Sequence, residues 1–595
     1  MSGYKIDEKS IFFILKEQIR YGRLRDLERY RELDEMTLDL LVKEGIKFAE
    51  NRVAPLNPIG ESRGLKYDRG RVTCPPEFRE VFREYGENGW TAAVRDPEYG
   101  GQGFPTMLRI VLNEMMYGAC TAFTMAPSLT HGAAHLIETF GTAAQKELFV
   151  PNMYGGRWAG TMCLTEADSG SNLAGLKTAA RRDGDRFRVV GAKQFISWGD
   201  HDLTDNIIHL VLARIEGAPA GVKGISLFIV PKIKVGPDGS PCEPNDVFCA
   251  GVEEKMGLHA SPTCRLIFGE NNDCEGFLCG PENQGLPQMF QMMNSARINT
   301  GVSGMALGGA AYAAALEYCK TRSQGSDLAR RKPGDVPIID HPDVRRMLLW
   351  MKGAVDGMRS MIYNTAYWED LARHLPEGEE RRRCGNILEF MTPIVKAYCS
   401  DLGFRVCETA VQCLGGYGYC RDYPVEQYLR DAKIMSLYEG TNGIQSMDLL
   451  GRKMTINHGG PFAAFRSALD AFCDREADHP ALGPQVRALG EFRRSLWSAA
   501  ETMRDRMKTD PLQWASGTYP ALQAFGDAAA CWLLLDLAVK AAPKASQDGP
   551  NRDFFAGKVF QARYFVDVTL PHAAAHLKNC LRDGREVVDI PEAAF

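Results

Sequence analysis

The stretch KTAARRDGDRFRVVGAKQFI, residues 177–196, decides the fold class of this chain. Two strand-like runs flank Asp183-Gly184-Asp185, and an Asp-Gly pair between such runs is typical of a tight β-hairpin turn. More strand-like runs follow without a long helical pattern between them, at 207–215, 225–230 and 264–268. The sequence therefore predicts a compact antiparallel β-domain over about residues 158–278. No GxGxxG motif follows a strand there, which argues against a Rossmann-type NAD site.

Helical patterns precede and follow this β-domain. Leu38, Val42 and Ile46 recur at helical spacing, and a long run rich in Ala, Gly and Met extends from 289 to 322. The turn residues at 458–461, His-Gly-Gly-Pro, predict a domain boundary. The predicted fold is thus α+β and mostly α. Its segments are an N-terminal leader (1–34), a helical N-terminal domain (35–157), the β-domain (158–278), a second helical domain or bundle (279–457) and an extra helical C-terminal domain (458–595).

Composition excludes several classes of function. Hydrophobic residues make up 45% of the 595 residues and the net charge is -5, so the chain is typical of a globular protein of several domains. No basic cluster indicates a nucleic acid partner. The charged N-terminus lacks the apolar core of a secretory signal, and the longest apolar run, Ala528 to Leu535, is too short for an integral membrane segment. We therefore expect a cytoplasmic protein.

The cysteines and histidines predict neither disulfides nor metal. The 17 cysteines contain no CxxC pair, and most lie among apolar residues, where a free thiol behaves as a small hydrophobe. His131 and His135 are spaced to share a helix face, but Gly132 stands where a zinc-protease motif has Glu. No metal site is expected.

Four short motifs carry residues suited to binding or catalysis. A loop from Thr165 to Ser171 follows a strand-like run and offers hydroxyl and N–H donors, although a capping turn explains it equally well. Residues 193–199 place an aromatic near a serine, where it could flank a planar ring, although a buried strand aromatic explains it more simply. Residues 412–419 are rich in glycine, which allows close backbone approach to a ligand. Glu439, in Tyr438-Glu439-Gly440-Thr441, is suited to act as a general base if it is desolvated, whereas a solvated helix end is the alternative.

The order and spacing of these motifs give the chain a specific resemblance. Leu164-Thr165-Glu166, the segment 193–197, Gln412 with its glycines, and the stretch from Arg430 to Thr441 together resemble the acyl-CoA dehydrogenase family of flavoproteins. The resemblance covers about residues 35–452. The helical C-terminal domain makes the chain most similar to a long bacterial branch of this family.

The resemblance implies a cofactor and a set of partners. It implies FAD held between the β-domain and the second helical domain, an acyl-CoA substrate, an electron transfer flavoprotein as acceptor, and a homodimer or homotetramer. Arg322 would reach the FAD of a partner subunit. The residues implied to bind the cofactor are Leu164, Thr165, Gly170, Ser171, Phe195, Ser197, Arg322, Gln412, Gly415, Gly416 and Thr441. Those implied to bind substrate are Ser171, Arg297, Tyr438 and Gly440.

The resemblance also implies a reaction, α,β-dehydrogenation of an acyl-CoA to the 2-enoyl-CoA. Glu439 would take the α-proton while the β-hydrogen leaves as hydride to flavin N5. Some family members carry the base beside the arginine equivalent to Arg297, but Ala296 occupies that position here. The acyl group is expected to be 3-methylthiopropanoyl or another short, medium, branched or aryl-substituted chain. Two alternatives stay open, namely an acyl-CoA oxidase on the same fold and a non-enzymatic helical binding or assembly protein.

Overall fold

The structure is a computed structural model that describes residues 4–236 and 239–595, so Met1 to Gly3 of the predicted leader lie outside the described residues. It divides into two compact units. The helical unit comprises residues up to 46, 106–114 and 297–595, and the sheet unit comprises 47–105 and 115–296.

Helices dominate the chain, as the sequence predicts. They are α1 (Glu8–Phe13), α2 (Glu35–Phe48), α3 (Leu56–Arg63), α4 (Pro76–Glu87), α5 (Thr106–Phe140), α6 (Ala143–Tyr154), α7 (Gly285–Thr321), α8 (Pro342–His374), α9 (Glu379–Leu414), α10 (Val425–Lys433), α11 (Asn442–Met447), α12 (Ile456–Glu476), α13 (Gly483–Thr509), α14 (Pro511–Ala545), α15 (Arg552–Leu581) and α16 (Arg585–Asp589). Short 3-10 and π-helical turns join several of them.

The strands fall mainly in the middle of the chain. They are β1 (Lys66–Asp68), β2 (Arg71–Thr73), β3 (Trp158–Cys163), β4 (Ala179–Asp183), β5 (Arg186–Ser197), β6 (Asn206–Ile215), β7 (Ile225–Pro231), β8 (Ile233–Val235), β9 (Pro241–Pro244), β10 (Val247–Val252), β11 (Thr263–Phe268), β12 (Glu275–Leu278), β13 (Ser323–Ser326) and β14 (Asp335–Pro337). The last two form a small hairpin inside a region whose polar sequence predicts only a loop.

The predicted hairpin is confirmed and lies in the main sheet of the sheet unit. Asp183 pairs with Arg186 across a turn in which Gly184 has φ +65°. Within the described residues the sheet has eight strands in the order β10-β11-β5-β12-β7-β6-β3, with β4 pairing to β5 and β6. The β-domain predicted from the sequence is therefore present.

The expectation of a purely antiparallel domain is wrong in one respect. β3 pairs with β6 in parallel, and β4 also pairs with β6 in parallel, while the other pairs in this sheet are antiparallel. Parallel neighbours need a long crossover connection, and the segment between β3 and β6, which contains the hairpin, provides it. Local strand patterns do not reveal such a crossover.

The central strands are buried on both faces of the sheet. Along β6, Ile208 and Leu210 point into one apolar cluster, and Val211 and Ala213 point into another. Successive side chains of a strand face opposite sides, so a strand covered on both faces needs an unbroken apolar run. This explains the continuous sequence Ile207 to Ala213, in which His209 is the polar exception.

In the helical unit, the C-terminal extension packs directly on the second helical domain. Phe390 of α9 lies 4.9 Å from Phe465 of α12 and 5.4 Å from Phe525 of α14, measured between ring centroids. Helix α14 is long and apolar enough to cross a membrane, but 89% of its most apolar window is buried within the protein. Such burial is typical of a core helix of a globular protein.

The described part of the predicted leader is folded into the helical unit. Ile11 and Ile14 are fully buried. Ser10 accepts hydrogen bonds from Lys352 Nζ on α8 (3.0 Å) and Lys558 Nζ on α15 (2.6 Å). Both lysines also pair with Asp356, as buried charges require. The N-terminal segment therefore ties α8 to α15.

Candidate functional site

In the sheet unit, the loop after β3 is fixed by Glu166. Its carboxylate accepts hydrogen bonds from Lys177 N (2.7 Å), Thr178 N (3.0 Å) and Lys193 Nζ (2.9 Å). Burial raises the pKa of Glu166, but Lys193 and these hydrogen bonds together hold it below its usual value. The buried pair therefore clamps the loop that begins with Leu164 and Thr165 to strand β5.

A β-bulge displays Phe195. Leu266 and Cys264 of β11 pair with Lys193 and Ile196, so two residues of β5 lie opposite one residue of β11. Phe195 adopts φ +59° and its side chain is 61% exposed. Bulges next to functional sites re-aim a side chain, and exposure of a whole phenyl ring costs free energy unless a ligand covers it.

The bulge and the loop after β3 are in direct contact. Gln194 N donates to Thr165 O at 2.9 Å, and Lys193 Nζ donates to Leu164 O at 3.0 Å. Ser197 ends β5 and is half-buried. Four residues predicted to bind the cofactor are thus brought together: Leu164, Thr165, Phe195 and Ser197. The other two on this loop, Gly170 and Ser171, are exposed.

In the helical unit, Glu439 lies in a strained loop before α11. Glu439 has φ +57° and Gly440 has φ +84°. A left-handed conformation costs a non-glycine residue about 1 kcal/mol, so the surroundings must hold it. Gln445 Nε2 donates to the carbonyls of Glu439 (3.4 Å) and Gly440 (3.3 Å), and Thr441 caps α11 by accepting from Ile444 N (3.2 Å).

Two cations act on the Glu439 carboxylate, which is half-buried. Burial raises the pKa of Glu439, and Lys396 and Arg297 oppose that rise through their charges. Arg297 is 4% exposed and forms an ion pair with Asp448 (Nη1–Oδ2, 3.2 Å), while its Nε has no hydrogen-bond partner among the described residues. Tyr438 precedes Glu439 and donates from its hydroxyl to Met435 Sδ (3.2 Å).

Sequence reasoning missed Lys396 and Asn442. Lys396 is fully buried on α9 and donates to Asn442 Oδ1 at 2.8 Å. The signal in the sequence is a single lysine inside the otherwise apolar run Ile394 to Cys399. Lysine is almost never fully buried without a polar partner, so such a position predicts a specific contact.

A third group of predicted site residues lies around the C-terminal end of α9. The guanidinium of Arg322, at the end of α7, lies 5.9 Å from the ring of Tyr417, next to Gly416. Gly415 has φ +59°, and a Cβ built on Gly415 or Gly416 meets no atom within 4 Å. Gln412 is exposed on the last turn of α9. Open space beside glycine backbone, next to an exposed arginine, fits a phosphate-bearing cofactor.

The predicted site residues therefore form three local groups. Thr165, Phe195 and Ser197 belong to the sheet unit, whereas Glu439 with Arg297, and Arg322 with its neighbouring glycines, belong to the helical unit.

Four family models match the chain. They are the acyl-CoA dehydrogenase N-terminal domain (38–157), middle domain (161–270) and C-terminal domain (283–454), and the acetyl-CoA dehydrogenase C-terminal like domain (465–591).

Relatives match the full length of the chain. A 3-methylmercaptopropionyl-CoA dehydrogenase from Ruegeria pomeroyi is 35% identical, covering 96% of this chain and 97% of that protein. A butyryl-CoA dehydrogenase from Syntrophomonas wolfei is 34% identical, covering 100% and 99%. An acyl-CoA dehydrogenase from Bacillus anthracis, solved with FAD, is similar in fold, with TM-score 0.75, 22% identity, and 94% and 91% of the two chains covered.

Proposed function

Because this chain belongs to the acyl-CoA dehydrogenase family, we propose that it dehydrogenates a short, linear acyl-CoA with Glu439 as the base that removes the α-proton. The chain is an acyl-CoA dehydrogenase, an oxidoreductase that acts on CH–CH bonds, and its cofactor is FAD.

The observation that carries the proposal is the burial and backbone conformation of Glu439. Its carboxylate is half-buried, its pKa is raised by burial, and its strained backbone is held by Gln445. A base that must take a weakly acidic C–H proton is more effective when its proton affinity is raised, and an acyl chain that covers the carboxylate would raise it further. The backbone N–H of Glu439 would donate to the thioester carbonyl and stabilise the charge that develops there.

The residues present fit FAD in both units. In the sheet unit, Phe195 offers an uncovered ring, and Thr165 and Ser197 supply hydroxyl groups. In the helical unit, Arg322 would pair with phosphate, and Gly415 and Gly416 leave room beside their backbone. When bound, FAD supplies the acceptor for the hydride that leaves the substrate β-carbon.

The proposed substrate class follows from two relatives and not from a defined cavity. One relative is named for butyryl-CoA and the other for 3-methylmercaptopropionyl-CoA, and both acyl groups are short and unbranched. We therefore propose butyryl-CoA and 3-methylthiopropanoyl-CoA as substrates in preference to CoA thioesters of medium-length, branched or aryl-substituted acyl groups. An electron transfer flavoprotein is the proposed acceptor, and the chain is proposed to work as a homo-oligomer in which Arg322 reaches a neighbour's FAD.

The test is anaerobic reduction of the purified, FAD-loaded protein by single CoA thioesters. Butyryl-CoA and 3-methylthiopropanoyl-CoA should bleach the flavin and yield the matching 2-enoyl-CoA, identified by mass spectrometry, faster than isobutyryl-CoA or an arylpropionyl-CoA does. Absence of flavin reduction by every thioester would reject the proposed function. Faster reduction by the branched or aryl compounds would reject the substrate class alone. Reoxidation by air as fast as by an electron transfer flavoprotein would indicate an oxidase.

A further inference from the structure

A buried lysine lies beneath the loop that carries Glu439. Lys396 has 0% of its surface exposed, and its Nζ donates to Asn442 Oδ1 at 2.8 Å. Asn442 is the first residue of α11 and is three positions after Glu439. The lysine therefore contacts the end of the same short loop whose conformation presents the carboxylate.

The amide of Asn442 is held in one orientation. Its Nδ2 donates to Ala397 O (3.1 Å) and to Ser400 Oγ (3.0 Å), both on α9. Its Oδ1 is thereby turned toward Lys396 Nζ, and Ser400 Oγ also lies 3.4 Å from this oxygen. Three residues of α9 thus hold the first residue of α11 in place.

Stability alone does not explain a lysine at this position. Burial removes the water that solvates an ammonium group, and a hydrogen bond to a neutral amide restores only part of the lost solvation free energy. No described carboxylate lies within ion-pair distance of Lys396 Nζ, whereas Lys453 and Lys558, the other buried lysines of the helical unit, contact Glu389 and Asp356. The carboxylates that favour the charged form of Lys396 act at longer range, and they are Asp401 and Glu439.

Lys396 differs from the other charged groups near Glu439 in the carboxylates that contact it. From α7, Arg297 faces Glu439 and forms an ion pair with Asp448, a carboxylate that Arg452 also contacts (Nε–Oδ1, 2.7 Å). From α9, Asp401 acts on Lys396 and accepts hydrogen bonds from Tyr519 (2.7 Å) and Gln523 (2.8 Å) of α14. Lys396 is therefore the cation near Glu439 that no contacting carboxylate balances in the described structure.

We propose that Lys396 is a positioning residue for the base, because it fixes Asn442 under the loop and supplies the buried positive charge that favours the carboxylate form of Glu439. This inference rests on the proposed function of Glu439 as base. Burial lowers the pKa of Lys396 to about 7, and the charge of Glu439 opposes this, so the charge on each group depends on the other.

Removal of the charge should move the pH dependence of proton abstraction. Without the ammonium, the Glu439 carboxyl keeps its proton to higher pH, so the pH at which flavin reduction reaches half its maximum should rise. Near neutral pH the rate should fall about tenfold, and it should recover at higher pH. A lysine that serves only packing would change the rate or the stability without moving this midpoint.

The experiment uses the FAD-loaded parent, Lys396→Met and Lys396→Gln. Stopped-flow reduction by butyryl-CoA is followed between about pH 6 and pH 9, the range in which coupled buried groups titrate. Lys396→Gln keeps a donor for Asn442 but carries no charge, and it remains informative if Lys396→Met does not fold. Lys558→Met is the matched control, since Lys558 is also fully buried on this unit and Asp356 keeps Lys352 and Arg359 as partners.

We expect the midpoint to rise in both Lys396 variants and to stay at the parent value in Lys558→Met. An unchanged midpoint in a folded, flavin-loaded Lys396→Gln would overturn the inference, as would an equal shift in the control. Glu439→Gln separates the two proposals. If that variant is still reduced at the parental rate, the proposed function fails. If it is inactive while the Lys396 variants show no shift, only the role of Lys396 fails.

Discussion

Ser446 of α11 and Thr518 of α14 share a buried hydrogen bond between their hydroxyl oxygens, 3.0 Å apart. This contact joins the C-terminal extension to the short helix that follows Glu439. Thr518 Oγ1 also lies 3.0 Å from Ala515 O, and Ser446 Oγ lies 2.7 Å from Gly443 O. Because each hydroxyl has one hydrogen, one of them donates to its carbonyl while the other donates across the contact. The extension therefore supports the loop of the proposed base from the side of α14.

Thr518→Val should lower the free energy of unfolding by about 1 to 2 kcal/mol, because it removes the contacts of the Thr518 hydroxyl with Ser446 and Ala515 O, while Ser446 keeps its carbonyl partner. Urea denaturation monitored by tryptophan fluorescence measures this loss. Thr509→Val, at the exposed end of α13, is the control and should change stability by less than about 0.5 kcal/mol. Equal effects of the two changes would show that the Ser446–Thr518 contact is energetically unimportant.

Glu439→Gln should retain FAD yet lose flavin reduction by several orders of magnitude, since an amide cannot accept the α-proton. Visible absorbance reports the bound flavin, and single-turnover mixing with butyryl-CoA reports the reaction. Glu426→Gln, on α10 in an ion pair with Arg430, is a control outside the loop and should react at nearly the parental rate. Activity of Glu439→Gln within about tenfold of the parent would rule out this residue as the base.

Arg322→Ala should lower FAD occupancy and weaken self-association together, because a charge-assisted contact to phosphate is lost from a site shared between subunits. Size-exclusion chromatography with light scattering and flavin absorbance measures both quantities in one run. Arg504→Ala, an exposed arginine on α13, should change neither. A fully flavin-loaded monomer of the parent protein is the result that contradicts a shared site.

Glu166→Gln should destabilise the sheet unit by about 3 to 5 kcal/mol, because it leaves Lys193 buried without its counter-charge. The pKa of Glu166 lies below its unfolded value near 4.5. Its carboxylate therefore contributes stability that is fully present above about pH 4.5 and is lost as pH falls through the lower, folded value.

Urea denaturation of the parent and Glu166→Gln, repeated from about pH 7 down to about pH 3, tests this linkage. The difference between them should shrink as the medium becomes more acidic. The control is Asp168→Asn, which removes the ion pair with Lys177. Both side chains of this pair are about three-quarters exposed, so the substitution should lower the free energy of unfolding by less than about 1 kcal/mol. A difference between parent and Glu166→Gln that grows toward low pH would contradict the assigned direction.

The sequence by itself determined the class of the fold and the position of the hairpin. Asp183-Gly184 predicts its turn, and the apolar periods of 2 and 3.6 residues predict strands and helices, because turn chemistry and side-chain period are local properties. The motif around Glu439 marked a candidate base, and the resemblance carried by several motifs in order along the chain identified it as the proposed base. The fold class and the family are confirmed, whereas the roles of the site residues stay predictions.

Tertiary structure alone decided the features that depend on residues distant in the chain. The parallel pairing of β3 with β6 follows from the path of the crossover, which no local pattern contains. The bulge that exposes Phe195 depends on its register with β11. Lys396 lies 43 positions before Glu439 in the chain, and only the packing of α9 under the loop gives its charge an effect on that carboxylate. Burial and Coulomb interactions act through space, so a sequence pattern indicates the residue types but not their neighbours.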